Sequence, residues 1–407
     1  MGVQPPATLR ITGVARDEVW ETRVRARDLG IRFDGTPGPL NGITDVTGVE
    51  VGMVTLVDGG SADGSGSVAA VCSRTGVTAI LPLGRDGITT AVPSAISSLN
   101  GNGEMTGSHW IRETGGLTGP VMITNTHAVG TVHRGVIEWM ARNRPEHAAE
   151  WLLPVVAETW DGYLNSINEP FVLPEHAGEA IDAAASGPVV EGSAGGGTGM
   201  NCYGFKGGNG TASRLVELGG QTYTVAVFLQ ANFGDRRELV INGVPMGDLD
   251  VPFPMGSSGW LQRDRHPVAG AGSVIAVIAT DAPMIPQQCE ALARRVPMGL
   301  ARTGTTGGHF SGDIFLAFST GNAGALDSGF PSEPAASARL RSMNLVPWNR
   351  MDGFYAATVH AVEEAVLNAL VSNMTMVGRS GHTSPALAHD LVVERLRGGV
   401  SRSSRQG

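Results

Sequence analysis

The chain has 407 residues, of which 58 are glycine, and its 38 acidic and 29 basic residues give a formal net charge of −9 at pH 7. The basic residues form no stripe, so we expect neither nucleic acid nor an anionic membrane surface as a partner. Three widely spaced cysteines, Cys72, Cys202 and Cys289, favour neither a disulfide framework nor a cysteine-based metal site. Because there is no charged-then-apolar leader and no apolar run of about 18 residues, the sequence predicts a cytoplasmic protein.

Residues 1–23 are polar and contain prolines, and we expect them to form an N-terminal extension to a single domain over residues 24–407. Apolar runs between turn residues predict strands, and helical periodicity predicts helices. The predicted strands lie at 43–57 (after a turn), 77–83, 121–127, 155–157, 223–230, 274–279 and 313–319, and the predicted helices at 132–143, 174–186, 285–296, 354–373 and 384–396. Pro297 is expected to stop the third helix, and Ser384 followed by proline to begin the last one. This loose alternation predicts the α/β or α+β class.

The stretch from Pro252 to Val268 is irregular and predicts a long exposed loop. It leads to Gly272-Ser273, where an apolar β-branched run typical of a strand buried on both faces begins. If the Ser273 hydroxyl attacks the Gly272 carbonyl, the peptide becomes an ester and water then splits the chain. Ser273 would become a new N-terminus, and its α-amine, with a reference pKa of about 7.7–8.0, could act as base for its own hydroxyl. The alternative interpretation is a loop that simply ends at a buried strand.

Eight segments carry a resemblance to a known family: PGPLNGITDVTGVEVG (37–52), ETWDGYLN (158–165), GGGTGM (195–200), QANFG (230–234), GSVIAVIATDAP (272–283), ARRV (293–296), GLARTG (299–304) and SGDIFLAFST (311–320). In these segments, and from about residue 24 to residue 397, the chain resembles the L-aminopeptidase/D-Ala-esterase/amidase family, which includes the β-aminopeptidases.

The resemblance implies a four-layer α/β/β/α sandwich of the aminopeptidase/ornithine-acetyltransferase type, with members that assemble as homo-oligomers of αβ units. It implies one catalytic domain that is cut into an α-chain of residues 1–272 and a β-chain of residues 273–407. The mature protein would release N-terminal amino acids (L-amino acids, D-Ala or β-amino acids) from small peptides, amides or esters through an acyl-enzyme on Ser273, with no metal and no cofactor.

The resemblance also implies roles for polar side chains. Residues matching Ser311 and Asp313 assist the nucleophile as donor and acceptor, although by themselves they form only a polar turn before a strand. Residues matching Asn232 and Tyr163 supply donors to the oxyanion of the tetrahedral intermediate, for which an amide and a phenol are suitable groups.

An aminopeptidase must bind the ammonium group of its substrate, and a carboxylate in a mostly apolar cleft does this by charge-assisted hydrogen bonding. Glu158 and Asp161 are the candidates. We favour Glu158, because Asp161 precedes Gly162 in what reads as an ordinary turn.

Other motifs give weaker indications. The glycine-rich segments 195–199 and 304–308 lack the Lys-Ser/Thr ending of a phosphate loop, so they do not favour nucleotide binding. His127 and His309 belong to no His-x-x-x-His pair and are interpreted as ordinary loop or core residues. His309 and Phe310 stand before Ser311, where the family more often has small polar residues, and they predict a differently shaped substrate pocket.

Three alternative functions stay open on this sequence. An endo-type amidase of ω-amino acid oligomers would use the same scaffold. An acyltransferase resembling ornithine acetyltransferase usually has threonine as nucleophile, and Ser273 argues against it. An uncleaved ligand-binding protein would have kept the scaffold and lost the chemistry.

Overall fold

The computed structural model describes residues 9–12, 24–59, 71–252, 272–330 and 334–403. The loop predicted from Pro252 to Val268 lies outside these residues, apart from Pro252 itself. No helix within these ranges is long and apolar enough to cross a membrane.

The strands of the described residues are β1 (Leu9–Thr12), β2 (Glu50–Asp58), β3 (Ser73–Leu81), β4 (Val92–Gly101), β5 (Gly116–Leu117), β6 (Val121–Asn125), β7 (Val155–Thr159), β8 (Asn201–Cys202), β9 (Phe205–Lys206), β10 (Gly208–Leu218), β11 (Gln221–Asn232), β12 (Val240–Ile241), β13 (Val244–Pro245), β14 (Gly272–Thr280), β15 (Ser311–Ser319), β16 (Met376–Val377) and β17 (Thr383–Ser384). The α-helices are α1 (Ser108–Thr114), α2 (Val129–Asn143), α3 (Pro145–Ala148), α4 (Pro174–Asp182), α5 (Pro286–Ala293), α6 (Val296–Ala301), α7 (Asp352–Val371) and α8 (His389–Ser403).

Two sheets form the centre of the fold. One has the strand order β1-β2-β3-β6-β7 and the other the order β10-β11-β14-β15-β4-β5. The parallel pairs β6–β7 and β14–β15 are each connected through helices, which is the usual crossover between parallel strands. The other pairs of the second sheet are antiparallel, and β14 and β15 are its two central strands.

Three apolar clusters hold these sheets in four layers. Along β14 the odd-numbered residues 275–279 pack into the cluster between the two sheets, while the even-numbered residues 274–278 pack into a cluster with α5 and α7. A third cluster joins α2 and α4 to the outer face of the first sheet. The predicted strand buried on both faces and the predicted α/β/β/α sandwich are therefore confirmed.

The glycine-rich segment 195–199 is buried between the two sheets rather than at a surface. Gly195–Gly197 forms a buried 3-10 turn. A Cβ at Gly196 would lie 2.3 Å from Oε1 of Gln230, and a Cβ at Gly197 2.5 Å from Oδ1 of Asn209. The glycines allow the turn to pack against these polar side chains, which is a structural role.

The seven predicted strands correspond to β2, β3, β6, β7, β11, β14 and β15, but two helix predictions need correction. The helix predicted over 285–296 ends at Ala293, and Pro297 lies in the first turn of α6 rather than stopping α5. Proline fits there because the first N–H groups of a helix have no partner within the helix. Ser384 ends β17, and the last helix begins at His389. Pairing of β17 with β16 overrides the local capping signal.

The strands β1, β4 and β10 were not predicted from the sequence. Leu9–Thr12 pairs in parallel with β2 at the edge of the first sheet, within the segment predicted as an extension. β10 contains Gly208 and Gly210, residues that weaken strand propensity, but its register with β11 is continuous. The three cysteines are buried and none forms a disulfide.

Candidate active site

Ser273 lies at the start of β14, near the middle of the six-stranded sheet. Its register neighbours are Asn232 on β11 and Gly312 on β15. The residue is 2% exposed, and its Oγ accepts a hydrogen bond of 3.3 Å from the backbone N–H of Trp160. Trp160 directly follows β7 of the other sheet, so the hydroxyl is held between the two sheets.

Gly272 is held in a narrow space beside the end of β11. A Cβ at this position would lie 2.2 Å from the carbonyl oxygen of Asn232. Because that contact is with backbone, a larger residue would have to move the strand. The uncut Gly272–Ser273 bond therefore passes through a tightly packed strand end.

Asn232 is the last residue of β11 and is 5% exposed. Because Asn232 and Ser273 are directly opposite in an antiparallel pair, their side chains leave the sheet on the same face. Its Oδ1 accepts a hydrogen bond of 2.9 Å from the backbone N–H of Asn201. This contact fixes the amide orientation and leaves the Nδ2 end as a donor beside Ser273.

Ser311 and Asp313 form a buried pair at the start of β15. The Ser311 hydroxyl donates to Oδ1 of Asp313 at 2.5 Å, and Nδ2 of Asn100 donates to Oδ2 at 3.1 Å. Burial raises the pKa of the Asp313 carboxyl, and these two donors oppose that shift. The carboxylate is thus held in one orientation by two side chains.

The pair lies beside the backbone of the junction and not beside Oγ. Ser311 is the register neighbour of Gly272, and successive residues of a strand point to opposite faces. Ser311 and Asp313 therefore face away from the Ser273 side chain, toward a cavity of about 380 Å³ that they help to line. Among the hydrogen bonds of the described residues, none joins Oγ of Ser273 to either residue.

Glu158 lies near the end of β7 and is 3% exposed. Its Oε1 accepts a hydrogen bond of 3.0 Å from the backbone N–H of Glu104, and the Thr126 hydroxyl donates to Oε2. Burial raises the pKa of the Glu158 carboxyl, while both hydrogen bonds lower it. The two donors leave lone pairs on the carboxylate for a cationic group.

Asp161 is built into the protein interior. It is 0% exposed and its Oδ1 accepts a hydrogen bond of 3.0 Å from Nδ2 of Asn165, four residues along the same turn. Burial raises the pKa of Asp161 to about 7, against the lowering effect of the Thr75 and Asn165 side chains. This carboxyl group orders the segment that follows Trp160.

Tyr163 packs against the C-terminal part of the chain. Its hydroxyl donates to the carbonyl of Thr383 at 3.4 Å, and its ring stacks on His382 with 4.8 Å between ring centroids. Burial raises the pKa of the phenol. The structure thus brings Asn232 next to Ser273, and it places the Tyr163 hydroxyl against a backbone carbonyl.

The segment before Ser311 carries an exposed aromatic side chain. Phe310 is 57% exposed, and its ring lies edge-on to His309 with 5.2 Å between centroids. The Asn102 side chain donates to the Phe310 carbonyl at 2.8 Å. Within the described residues, no group of three or more His, Cys, Asp or Glu side chains is placed to hold a metal ion.

Sequence reasoning missed three contributors to the site. The N–H of Trp160 is a backbone group and has no residue-type signal. Thr126 follows β6 and has none either. Asn100 opens the run Asn-Gly-Asn-Gly at residues 100–103, and an Asn-Gly repeat at the end of an unrecognised strand could have indicated it.

Comparisons with known proteins identify the family. Residues 41–384 match the profile of peptidase family S58. The chain is 46% identical over 371 residues to beta-peptidyl aminopeptidase BapA of Sphingosinicella microcystinivorans. This aligned region covers 90% of each chain.

Two solved structures share the fold. The L-aminopeptidase D-Ala-esterase/amidase of Ochrobactrum anthropi, described as a prototype for the serine aminopeptidases and a variant of the Ntn hydrolase fold, has a TM-score of 0.80 and 43% identity. A beta-aminopeptidase of Burkholderia sp. has a TM-score of 0.80 and 41% identity. Each match covers 92% of this chain and 98% of the other. The chain therefore belongs to peptidase family S58, and it is a hydrolase of the aminopeptidase type with an Ntn-hydrolase fold.

Proposed function

We propose that this protein cuts its own chain between Gly272 and Ser273 and then works as a serine aminopeptidase through an acyl-enzyme on Ser273. The observation that carries the proposal is the placement of the Ser273 hydroxyl. It is buried between the sheets, held by the N–H of Trp160, and directly opposite the amide of Asn232.

Self-cleavage begins with attack of Oγ on the carbonyl carbon of Gly272. The Oγ–C bond forms, the C–N bond to Ser273 breaks, and the hydroxyl proton moves to the departing nitrogen. Water then hydrolyses the ester and leaves a carboxylate on Gly272 and a free amine on Ser273. The tight packing of Gly272 against β11 supports this step, because it restricts the carbonyl to few orientations.

In turnover, the α-amine of Ser273 acts as base for the hydroxyl beside it. Ser311 and Asp313 lie beside the bond whose cleavage creates this amine, so we assign them the role of orienting it and stabilising its protonated form. The Nδ2 group of Asn232 donates to the oxyanion of the tetrahedral intermediate. We keep Tyr163 as a second oxyanion candidate only if its hydroxyl leaves Thr383 in the cut enzyme.

Glu158 is our candidate for binding the substrate ammonium. It lies two residues before Trp160, it is held by two donors, and its burial would make a pairing with a cation strong. Asp161 is the weaker candidate, because it is fully buried against Asn165.

The names of the relatives suggest the substrates. Relatives are called beta-peptidyl aminopeptidase and L-aminopeptidase D-Ala-esterase/amidase, so we propose that this protein releases β-amino acids, L-amino acids or D-Ala from small peptides, amides or esters. We further propose that its α- and β-chains stay together in a cytoplasmic homo-oligomer.

The test is intact mass spectrometry of the purified wild type beside Ser273→Ala and Ser94→Ala. Ser94 is the matched control, a buried serine on β4 whose Oγ has no hydrogen-bond partner among the described residues. We expect the wild type and the control to give two chains, with the cut between Gly272 and Ser273. Ser273→Ala should give one chain. Mature wild type should then hydrolyse aminoacyl p-nitroanilides.

A wild type that remains a single chain of 42.2 kDa would refute self-cleavage and favour the ligand-binding alternative. The endo-type amidase is distinguished by its products on a β-alanine oligomer. Release of internal fragments would favour it, and stepwise release of single residues favours the aminopeptidase.

A further inference from the structure

Lys206 is the only lysine of the chain, and the other 28 basic residues are arginines. It is nevertheless 0% exposed, at the end of β9. Its Nζ donates to the carbonyl of Met200 at 2.8 Å and to the carbonyl of Gly207 at 2.7 Å. Burying an ammonium group is costly unless acceptors replace its water, so a lone buried lysine in an arginine-based composition indicates a specific use.

The Met200 carbonyl belongs to the same peptide group as the N–H of Asn201. That N–H donates to Oδ1 of Asn232 at 2.9 Å. One peptide group therefore accepts a hydrogen bond from Lys206 at its oxygen and donates one to Asn232 at its nitrogen. The amide of Asn232 continues the same direction of polarisation, since its Oδ1 accepts and its Nδ2 can donate beside Ser273.

We propose that Lys206 is a positioning residue for the oxyanion site, acting on Asn232 through the peptide group between Met200 and Asn201. This inference rests on the proposed function, in which Nδ2 of Asn232 donates to the oxyanion. A hydrogen bond polarises the next one in a chain, and a positive charge at the far end favours negative charge at the near end. Both effects are strong here because Lys206 and Asn232 are buried.

The position is also suited to a lysine. Its compact ammonium donates in three directions, whereas an arginine presents a wide planar fork. The carbonyl of Lys206 accepts from Nδ2 of Asn373, and its N–H donates to the Pro385 carbonyl, so the backbone on which the ammonium is mounted is fixed.

The first experiment is a double-mutant cycle on the mature enzyme. Lys206→Met removes the charge and keeps the length of the side chain, and Lys206→Gln keeps an uncharged donor. Removing one oxyanion donor typically lowers kcat by about 10²–10³-fold, so we expect that order for Asn232→Ala and about 10-fold for Lys206→Met, with KM nearly unchanged. Rates are expressed per β-chain that begins at Ser273, counted by intact mass.

The cycle separates the proposal from a structural role. If Lys206 acts through Asn232, Lys206→Met should change kcat by less than about two-fold in the Asn232→Ala background. An equal loss in both backgrounds would overturn the inference. If Asn232→Ala alone leaves kcat unchanged, the oxyanion assignment of the proposed function fails first, and the inference fails with it.

A second measurement does not depend on turnover or on how fast the variants mature. Because Lys206 is the only lysine, lysine labelled with ¹³C at Cε gives a single Cε signal. We expect this signal to shift when an aminoalkyl boronic acid forms a tetrahedral adduct on Ser273, and not to shift in Asn232→Ala carrying the same adduct. An unshifted signal in the wild-type adduct would refute coupling between the two sites.

Discussion

Each oxygen of the Asp313 carboxylate accepts a hydrogen bond from one side chain. One donor, Ser311, lies on β15 like Asp313 itself, and the other, Asn100, is the residue directly opposite Asp313 on β4. The NH2 group of Asn100 also donates to the carbonyl of Gly308 at 3.0 Å, so it connects the carboxylate to the glycine-rich segment before Ser311. The charge state of Asp313 therefore depends on a residue outside the proposed catalytic pair.

Asn100→Ala is expected to change the pH dependence of activity. The ionised carboxylate accepts the Asn100 hydrogen bond, so losing this donor disfavours the ionised form and raises the pKa of Asp313 further. If ionised Asp313 is needed, the ratio of wild-type to variant kcat/KM should rise as the pH is lowered, with a shift of about one pH unit for a hydrogen bond to a charged group.

The matched control is Asn102→Ala. This change removes a donor to the Phe310 carbonyl, two residues after Gly308, and leaves Asp313 untouched. The ratio of wild-type to Asn102→Ala kcat/KM should be independent of pH. A flat ratio for Asn100→Ala as well, together with loss of activity in Asp313→Asn, would contradict the link between Asn100 and the charge on Asp313.

Helix α7 packs against β10, and this contact depends on a glycine of the strand. A Cβ at Gly210 would lie 1.8 Å from the carbonyl oxygen of Ala365 in α7. The neighbouring residue of α7, the buried Glu364, accepts hydrogen bonds from Arg27 and from Arg214, which also lies on β10. Around residues 364–365 the helix is therefore held both by backbone packing and by a buried ion-pair cluster.

Gly210→Ala should destabilise the protein by about 3 kcal/mol or more, because overpacking costs about 1–3 kcal/mol and here the obstacle is backbone. Gly130→Ala is the matched control, an exposed residue of α2 with nothing within 4 Å of its Cβ position. It should stabilise the helix by about 0.5–1 kcal/mol. Urea unfolding of both variants in the uncut Ser273→Ala background measures these changes. If Gly210→Ala and Gly130→Ala unfold at the same urea concentration, α7 must be able to move away from the added methyl group.

The two expected chains are interleaved in one sheet. The proposed β-chain supplies β14 and β15, while the proposed α-chain supplies β10 and β11 on one side and β4 and β5 on the other. Cutting at Gly272/Ser273 removes a covalent link at a strand end but leaves the ladders on both sides of β14 and β15 in place.

The cut protein should therefore remain one particle. Size-exclusion chromatography in native buffer should elute both chains together with full activity, and they should separate only under denaturing conditions. High salt should not release the β-chain, since the contacts of β14 are apolar and backbone–backbone and the Arg214–Glu364 ion pair between the chains is buried and little screened. Loss of the β-chain in native buffer would contradict this architecture.

The central strand and the layered fold could be predicted from the sequence without any structure. The apolar run after Ser273 predicts a strand buried on both faces, and the family motifs predict the four-layer sandwich. The strand is a local property and the sandwich is implied by the resemblance to a known family, so neither prediction required knowledge of the tertiary contacts.

Only the tertiary structure decided which groups meet. The register of β11 against β14 sets Asn232 opposite Ser273, and the register of β15 turns Asp313 to the other face. Asp161 is buried against Asn165 and Tyr163 is directed to Thr383, although the sequence offered both as site candidates. Strand register and burial depend on contacts between distant segments, which no local pattern specifies.

Contacts between distant segments also explain why no sequence motif indicated some of the groups at the site. The N–H of Trp160 is a backbone donor, and Lys206 reaches Asn232 through a peptide group whose residue type is irrelevant. The sequence by itself determined the family and the layers, and it predicted the junction at Gly272-Ser273. The fold decided the donors around that junction, because hydrogen bonds through the backbone are set by geometry and leave no trace in residue identity.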